Sequence, residues 1–272
     1  MPDLKLLTSL KGINRNRDKL WVDGHAKDLS ALNEFKKLRV LSFYRLSKRN
    51  IPIIETLRIP TIEALWLRIA SIPDLQCLSY FQGIEELGIW QSHTLKSLKG
   101  LGKFKKLKTL FLMQNGPLES LKPIASLSNL EELYINGGIF PAKQEISSVE
   151  PIARLGKKFK VLDLSGTKCE NPDLSPLARL PEPDEFGISA RFYPLDQIAI
   201  LAAAFPRWKE SLLALQTNEF SICKKCGGAK KMTFKYRMRD LCPVCDSLKI
   251  EEFLSNFEQL VSEKKEELNI VA

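Results

Sequence analysis

The chain has 272 residues, of which 44% are hydrophobic, and a formal net charge of +9. This length allows one long domain with its own core and a small additional module, and no apolar run approaches the roughly 18 residues that span a membrane. The first five residues lack the basic start and apolar stretch of a secretory signal. We therefore expect a cytoplasmic protein with no membrane partner, and the positive charge favours an acidic partner surface or nucleic acid.

A pattern of the form L-x-x-L-x-L recurs through the first two thirds of the chain. The middle residues of its copies form the reference series Leu20, Leu41, Leu65, Leu87, Leu110, Leu133, Leu162 and Phe186. Such a period is typical of a solenoid with one strand and one return segment per repeat. Because one repeat cannot bury its apolar face alone, the pattern predicts stacked repeats with parallel strands inside and short 3₁₀ or helical segments outside.

The repeats over residues 17–190 resemble the leucine-rich repeat superfamily, most closely its short-repeat, internalin-like branch. The resemblance implies an α/β fold, a horseshoe-shaped solenoid with its parallel strands on the concave face. That family usually places Asn five residues after the reference residue, where its amide ties adjacent turns together. Only Asn115 matches this position, so we expect irregular bonding between the loops. Function has to be inferred from the exposed residues, since this fold serves many unrelated binding tasks.

Three columns of residues are predicted to point out of the concave face, one position before, one after and three after each reference residue, and the last two columns hold three of the four tryptophans. They contain the candidate partner-binding residues Trp21, Asp23, Tyr44, Trp66, Arg68, Trp90, Phe111, Met113, Tyr134 and Asp163. A large exposed aromatic area is typical of an interaction site, and Trp, Tyr and Arg are enriched among binding hot spots. Alternatively, the rings only pack on one another across the strands, or the chain's own termini cover them.

The segment after the repeats predicts helices that cap the open end of the solenoid. Residues 194–205 have apolar residues at helical spacing, and Trp208 to Leu215 suggest a second helix. A last amphipathic helix is predicted around Phe253 and Phe257. It either docks on the neighbouring modules or serves as a dimerisation or partner helix.

Four of the six cysteines follow the spacing C-x₂-C-x₁₅-C-x₂-C, as Cys223, Cys226, Cys242 and Cys245. Two such pairs bring four thiolates around one Zn²⁺, and four Cys ligands leave no open position for catalysis. The module resembles a zinc ribbon with one structural zinc ion. A redox dithiol is the alternative, but it needs only one pair. Cys77 and Cys169 lie apart and are predicted to be small buried residues.

Basic residues surround the cysteine pairs and interleave with aromatic ones. They are the candidate nucleic-acid-binding residues Lys224, Lys225, Lys230, Lys231, Lys235, Arg237 and Arg239. Such a set binds phosphates and stacked bases, but a module with little interior also exposes its charges by necessity. The predicted domains are residues 1–190, the solenoid with its N-terminal cap; 191–219, the helical cap; 220–247, the zinc ribbon; and 248–272, the amphipathic helix.

No nucleophile motif, phosphate-binding loop or open metal site is evident, so we expect no enzymatic activity. The sequence predicts a non-catalytic scaffold whose concave face captures a protein, as an adaptor or an inhibitor such as a toxin-neutralising immunity protein. The alternative is binding of nucleic acid or a ribonucleoprotein through the basic zinc ribbon.

Overall fold

The structure is a computed structural model that describes residues 5–137, 144–156, 158–213, 217–231 and 241–269. Its main feature is one sheet of nine parallel strands. In the order of the sheet these are β1 (Leu6–Leu7), β2 (Lys19–Asp23), β3 (Val40–Tyr44), β4 (Ala64–Arg68), β5 (Glu86–Trp90), β6 (Thr109–Met113), β7 (Glu132–Asn136), β9 (Val161–Leu164) and β11 (Glu185–Ile188). Two further parallel strands, β8 (Gln144–Ile146) and β10 (Thr167–Cys169), pair beside this sheet.

The pairing of the strands places the whole reference series in one row. Leu20 is opposite Leu41, each later reference leucine is opposite the next, and Leu162 is opposite Phe186. All the leucines of this row are fully buried. The parallel strands and the buried row of leucines confirm the predicted fold class, an α/β leucine-rich repeat solenoid.

The outer side of each repeat consists of short helical segments. The 3₁₀ segments are Leu29–Glu34, Lys48–Asn50, Gln76–Leu78, Leu101–Lys103, Lys122–Ser126, Ile152–Arg154, Ser175–Arg179, Ala190–Phe192 and Pro206–Trp208, and the third repeat adds helix α1 (Ile51–Ile54). Their apolar residues, such as Leu32, Leu101 and Leu177, are fully buried. Each strand and its return segment therefore close one continuous core between them.

The turn that follows each strand has a recurring backbone conformation. Arg45, Ile69, Gln91 and Gln114, each four positions after a reference residue, have φ angles of 60°, 56°, 57° and 52°. Residues other than glycine adopt this left-handed region only when their surroundings impose it. Stacking imposes it here, because the Arg45 N–H donates to Arg68 O at 2.9 Å and the Ile69 N–H donates to Trp90 O at 2.8 Å.

Buried polar side chains connect the turns of four successive repeats. The Ala70 N–H donates to Ser92 Oγ at 3.2 Å, the Ser92 N–H to Asn115 Oδ1 at 3.0 Å, and the Asn115 N–H to Gln144 Oε1 at 2.9 Å. Ser92 thus takes a place where the resemblance implies Asn, and Gln144 makes the corresponding bond from a later position of its repeat. The loop bonding is irregular in residue type, but the buried N–H groups are satisfied.

Helices cover the C-terminal end of the solenoid. They are α2 (Leu195–Ala204), α3 (Lys209–Leu213) and α4 (Ser247–Glu267). Helix α4 packs against α2, with Phe257 fully buried and Val261 only 3% exposed. Lys209 and Glu258 also form an ion pair between α3 and α4. Before α4, strands β12 (Thr217–Ile222) and β13 (Ala229–Lys231) form an antiparallel pair.

Candidate functional site

The side of the main sheet that faces away from the core, here called the sheet face, carries the candidate partner-binding residues. Nine of them are half-buried and therefore reachable from solvent: Trp21, Tyr44, Trp66, Arg68, Trp90, Phe111, Met113, Tyr134 and Asp163. On β4, for example, Trp66 alternates with Leu65 and Leu67, which are fully buried. The aromatic rings are not sealed in the core, but their contact with a partner stays a prediction.

Three aromatic rings form a stack across four strands. The ring of Trp66 lies 5.1 Å from that of Phe111 with an interplanar angle of 29°, and Phe111 lies 4.4 Å from Tyr134 at 13°. Trp66 reaches Phe111 over Gly88, where a Cβ atom would lie only 2.1 Å from Cε3 of the indole. The indole N–H of Trp66 donates to Glu86. The stack is therefore held in place before any partner arrives.

A second group of rings lies nearer the N-terminus and includes a cation. Trp21 and Tyr44 meet edge to face at 6.2 Å. The guanidinium of Arg68 lies 4.4 Å from the ring centre of Trp90 and 5.6 Å from that of Trp21. The indole N–H of Trp90 donates to Gln114 Oε1 at 2.9 Å. In this group, cation–π contacts bring the aromatic faces and the positive charge together.

Asp23, predicted to orient a partner, is only 2% exposed. Its carboxylate accepts the N–H of His25 at 2.9 Å and pairs with Arg45. Burial raises the pKa of Asp23, but the hydrogen bonds from His25 and Arg45 outweigh it and hold the pKa below its ordinary value. Because Asp23 is already bound within the chain, the exposed position expected for it is wrong.

Three carboxylates on the sheet face were not among the candidate residues. Glu86, Glu132 and Glu185 stand one position before a reference residue, in the third outward column of the strands. Burial raises the pKa of Tyr134, and the charges of Glu132, Glu185 and Asp163 raise it further. These acidic groups therefore act together on the ring of Tyr134. The sequence did contain a signal for these carboxylates. Strand alternation places the whole column one position before the reference residues on the open side of the sheet.

A hollow of about 350 Å³ opens at the C-terminal end of the sheet face. Its lining includes Tyr134, Asp163, Glu185, Phe186 and Trp208. The space exists because Gly187 has no side chain, since a Cβ atom there would lie 2.7 Å from Oδ1 of Asp163. Trp208 from the cap thus closes a concavity beside the final repeats.

Basic residues at the edge of the sheet are paired within the chain. Arg39 pairs with Glu63, Lys108 with Glu85 at 2.7 Å, and Lys160 with Glu131 at 2.8 Å. Each pair joins neighbouring repeats near the surface, where solvent screening leaves it little effect on stability. These three cations are therefore engaged with carboxylates along this edge.

The four cysteines of the predicted zinc ribbon lie together, with their Sγ atoms within 4.8 Å of one another. Cys223 and Cys245 have Sγ atoms 3.9 Å apart, and those of Cys226 and Cys242 are 3.4 Å apart. Four thiolates around Zn²⁺ at about 2.3 Å would be about 3.8 Å apart, whereas a disulfide needs about 2.05 Å. The donor set and its spacing fit a four-coordinate metal ion.

Two backbone turns position these sulfurs. In the first, the Cys223 N–H donates to Gly228 O at 2.7 Å, and Gly227 has a φ of 74° that favours glycine. In the second, the Cys242 N–H donates to Asp246 Oδ2 at 2.9 Å. Lys231 and Leu241 exchange two backbone hydrogen bonds of 2.7 Å, which bring the two turns side by side.

The local hydrogen bonds also affect the thiols. Backbone N–H groups of Cys226 and Lys225 lower the pKa of Cys223 to about 6, whereas hydrogen bonding with Cys226 raises that of Cys245 to about 12. Four thiolates this close need a cation to offset their mutual repulsion. By contrast, burial raises the pKa of both Cys77 and Cys169 to about 11, so these two thiols are unreactive small core residues.

The candidate nucleic-acid-binding residues are only partly within the described chain. Lys224 and Lys225 are exposed in the first turn, and Lys230 and Lys231 are half-buried on β13. Lys235, Arg237 and Arg239 lie outside the described residues. Their role stays a prediction.

The sequence matches no protein-family model and no curated protein. Among solved structures, it is similar to an internalin (inlF) of Listeria monocytogenes, at 19% identity and a TM-score of 0.42, over 62% of this chain and 53% of that one. An internalin C2 of the same species has 22% identity and a TM-score of 0.42, over 57% of this chain and 62% of that one.

A leucine-rich repeat protein of Leptospira interrogans has 16% identity and a TM-score of 0.33, over 68% of this chain and 58% of that one. This chain thus spans less than two thirds of each of these structures, and at such TM-scores the likeness says nothing about function. Within the described residues, no helix has both the length and the apolar character to cross a bilayer.

Proposed function

We propose that this chain is a non-catalytic scaffold that captures a protein partner on the sheet face. The observation that supports this proposal is the half-exposed stack of Trp66, Phe111 and Tyr134. Aromatic rings provide a large contact area and lose little conformational entropy on binding when they are already fixed. A partner that lies on the stack would meet a preformed surface.

The alternatives are that the rings only stabilise the sheet, or that the chain covers them itself. Stacking does stabilise the sheet, but all three side chains of the stack remain half-exposed. In the described residues, β1 pairs at the edge of the sheet with β2, and α4 packs on α2. Neither segment covers the stack, which favours an external partner.

Binding without chemistry suits an adaptor, which joins two proteins, or an inhibitor, which blocks the surface of one. A toxin-neutralising immunity protein is one form of such an inhibitor. All three roles need a rigid surface of defined shape, and the solenoid provides it because each repeat is bonded to the next through backbone and buried side chains.

Affinity purification from native cells tests the scaffold, with bound proteins identified by mass spectrometry. The variant Trp66→Ala with Phe111→Ala should lose the partner and keep the fold, because it removes contact area from the open side only. Tyr80→Ala is the matched control, since Tyr80 is 49% exposed and lies outside the sheet strands under Arg58. Equal capture by both variants would contradict the proposal.

We also propose that Cys223, Cys226, Cys242 and Cys245 hold one structural zinc ion. The support is the spacing of their sulfurs and the pair of turns that positions them. When bound, the metal supplies the cross-link that a module with little interior cannot obtain from burial. Metal analysis of the purified protein should find one zinc per chain, and none after Cys226→Ser with Cys245→Ser.

Binding of nucleic acid through the same module is the second candidate function. Its support is that, among the described residues, no ion pair includes Lys224, Lys225, Lys230 or Lys231. Binding of single-stranded RNA should then weaken steeply with salt. Lys230→Gln with Lys231→Gln removes two phosphate contacts and should lower the slope of log K against log salt concentration by about 1.4. No retention of RNA at low salt would exclude this function.

A further inference from the structure

The two ends of the sheet face differ in charge. Towards the N-terminus the outward residues include Lys19 and Arg68, and towards the C-terminus they include Glu132, Asp163 and Glu185. The chain as a whole has a net charge of +9. The acidic end of the sheet face therefore stands out against a basic protein, and the sign of the whole chain does not describe this surface.

The acidic groups at this end have no cation of their own. Among the described residues, no ion pair includes Glu132, Asp163 or Glu185. Lys160, whose pKa Glu132 also raises, is bound to Glu131. Asp163 accepts the Ser165 N–H at 2.8 Å and the amide of Asn136 at 3.0 Å. These bonds orient the carboxylate and leave its charge without a counter-ion.

The hollow beside Gly187 joins these charges to aromatic walls. Asp163 and Glu185 line it together with Tyr134, Phe186 and Trp208. Trp208 is held there because its indole N–H donates to Pro183 O at 3.0 Å, and its ring lies 6.5 Å from that of Phe186. The walls of the hollow are thus fixed by hydrogen bonding and packing.

A cationic side chain matches this combination better than other groups. Aromatic faces attract ammonium and guanidinium groups, and carboxylates accept charge-assisted hydrogen bonds from them. The carboxylates would repel an anion. An apolar group would displace water from two carboxylates without replacing the hydrogen bonds that the water makes. The opposite end of the same face already shows the arrangement, with Arg68 placed 4.4 Å over Trp90.

We infer that the partner of the sheet face presents a basic protein segment to its C-terminal half, and that the hollow holds one Lys or Arg side chain of that segment. This inference rests on the proposed scaffold function and adds the chemistry of the partner. Gly187 keeps the hollow open, Asp163 and Glu185 supply the charge, and Tyr134 and Trp208 supply the aromatic faces. The Trp66 stack then receives the rest of the segment.

A peptide of six arginines is the first probe, and a peptide of six glutamates is its control. Binding is followed through the indole N–H signals in NMR spectra of the full chain, because Trp208 lines the hollow whereas Trp21 lies at the other end of the sheet. We expect the arginine peptide to shift the Trp208 signal at low salt. No shift, or the same shift with the glutamate peptide, would overturn the inference.

Three variants locate the site. Asp163→Asn with Glu185→Gln should weaken the arginine peptide about tenfold, the effect of losing two partly exposed charge contacts. Gly187→Val, which fills the hollow and keeps both charges, should weaken it as well. Glu119→Gln removes an exposed carboxylate outside the sheet strands and should change nothing. Unaltered affinity in the first two variants would show that the peptide binds elsewhere.

The natural partner separates this inference from the scaffold proposal. If Trp66→Ala with Phe111→Ala loses the partner but Asp163→Asn with Glu185→Gln retains it, the scaffold stands and the basic segment is wrong. If the aromatic variant also retains the partner, both proposals fail. Loss of the partner in both variants, with competition by the arginine peptide, supports both.

Discussion

The solenoid and the four-cysteine module are stabilised in opposite ways. In the solenoid the reference leucines are fully buried, and they belong to one apolar core that continues from the N-terminal cap into α2 and α4. In the module, Ile222 and Val244 are 66% and 73% exposed. The first region gains its stability from burial spread over many residues, whereas the proposed source of stability in the second is a metal ion held by four sulfur atoms at one point.

This difference decides which changes each region tolerates. A repeat shares its core with two neighbours, so the loss of one side chain is distributed over the stack. The module has no such reserve, because its two turns are joined by the Lys231–Leu241 backbone pair and the shared sulfur cluster. We expect metal to matter greatly in one region and hardly at all in the other.

Removal of the metal should have the largest effect, and only in the module. Structural zinc contributes about 10–16 kcal/mol to folding of small domains, so a chelator should expose the amides of residues 222–231 and 241–246 to full hydrogen exchange. Protection of β4 to β7, and of α4 where it packs on α2, should persist. The control Cys77→Ala removes a thiol outside the cluster and should keep one zinc per chain. Unchanged protection of the module without metal would contradict its dependence on the cluster.

Truncation of a leucine side chain should show the opposite contrast, with a large loss of stability in the solenoid and a small one in the module. Leu110→Ala removes a fully buried side chain from the middle of the reference row and should cost about 2–5 kcal/mol of unfolding free energy. Val244→Ala is the matched change in the module, where the side chain is 73% exposed, and should stay within about 0.5 kcal/mol. Urea unfolding followed by circular dichroism measures both. Equal losses would mean that the two regions share one core.

A smaller effect is expected from the polar bonding between the turns. Asn115→Ala leaves the buried N–H of Ser92 and the carbonyl of Ile89 without their bonds of 3.0 Å, and should cost about 1–3 kcal/mol. Asn129 also donates to a neighbouring repeat, at 2.9 Å to Lys105 O, but it is exposed to water. Asn129→Ala should therefore cost less than about 0.5 kcal/mol. The same urea experiment compares them.

Much of the architecture could be predicted from the sequence because the determining signals are local and repeated. One period places Leu20 to Phe186 in a single row, and the strands pair in that row. The spacing of the cysteines likewise predicted that four sulfur atoms lie together, and they do. In both cases the relevant side chains have one environment throughout, apolar core or sulfur cluster, so their type alone indicates their place.

The sheet face could be predicted only in outline, because its contacts join residues from different elements. The stack depends on Trp66 crossing Gly88 to reach Phe111 two strands away. Asp23 is buried because Arg45, in the left-handed turn of the next repeat, reaches back to it. The hollow needs Trp208 of the cap beside Phe186 of the last strand. None of these contacts can be predicted from the residue types along one column of the repeats.

Gly88→Ala has the smallest expected effect on stability, and it tests whether capture of the partner depends on the fixed position of the aromatic stack. In Gly88→Ala the new Cβ atom would lie 2.1 Å from the Trp66 ring, so the indole must turn away from Phe111. The lost stacking should cost about 1 kcal/mol, whereas Gly156→Ala, with nothing within 4 Å of its Cβ atom, should cost less. Because the core leucines beneath are untouched, partner capture should fall further than stability does. If capture survives with the stack displaced, the fixed position of the rings is not what the partner recognises.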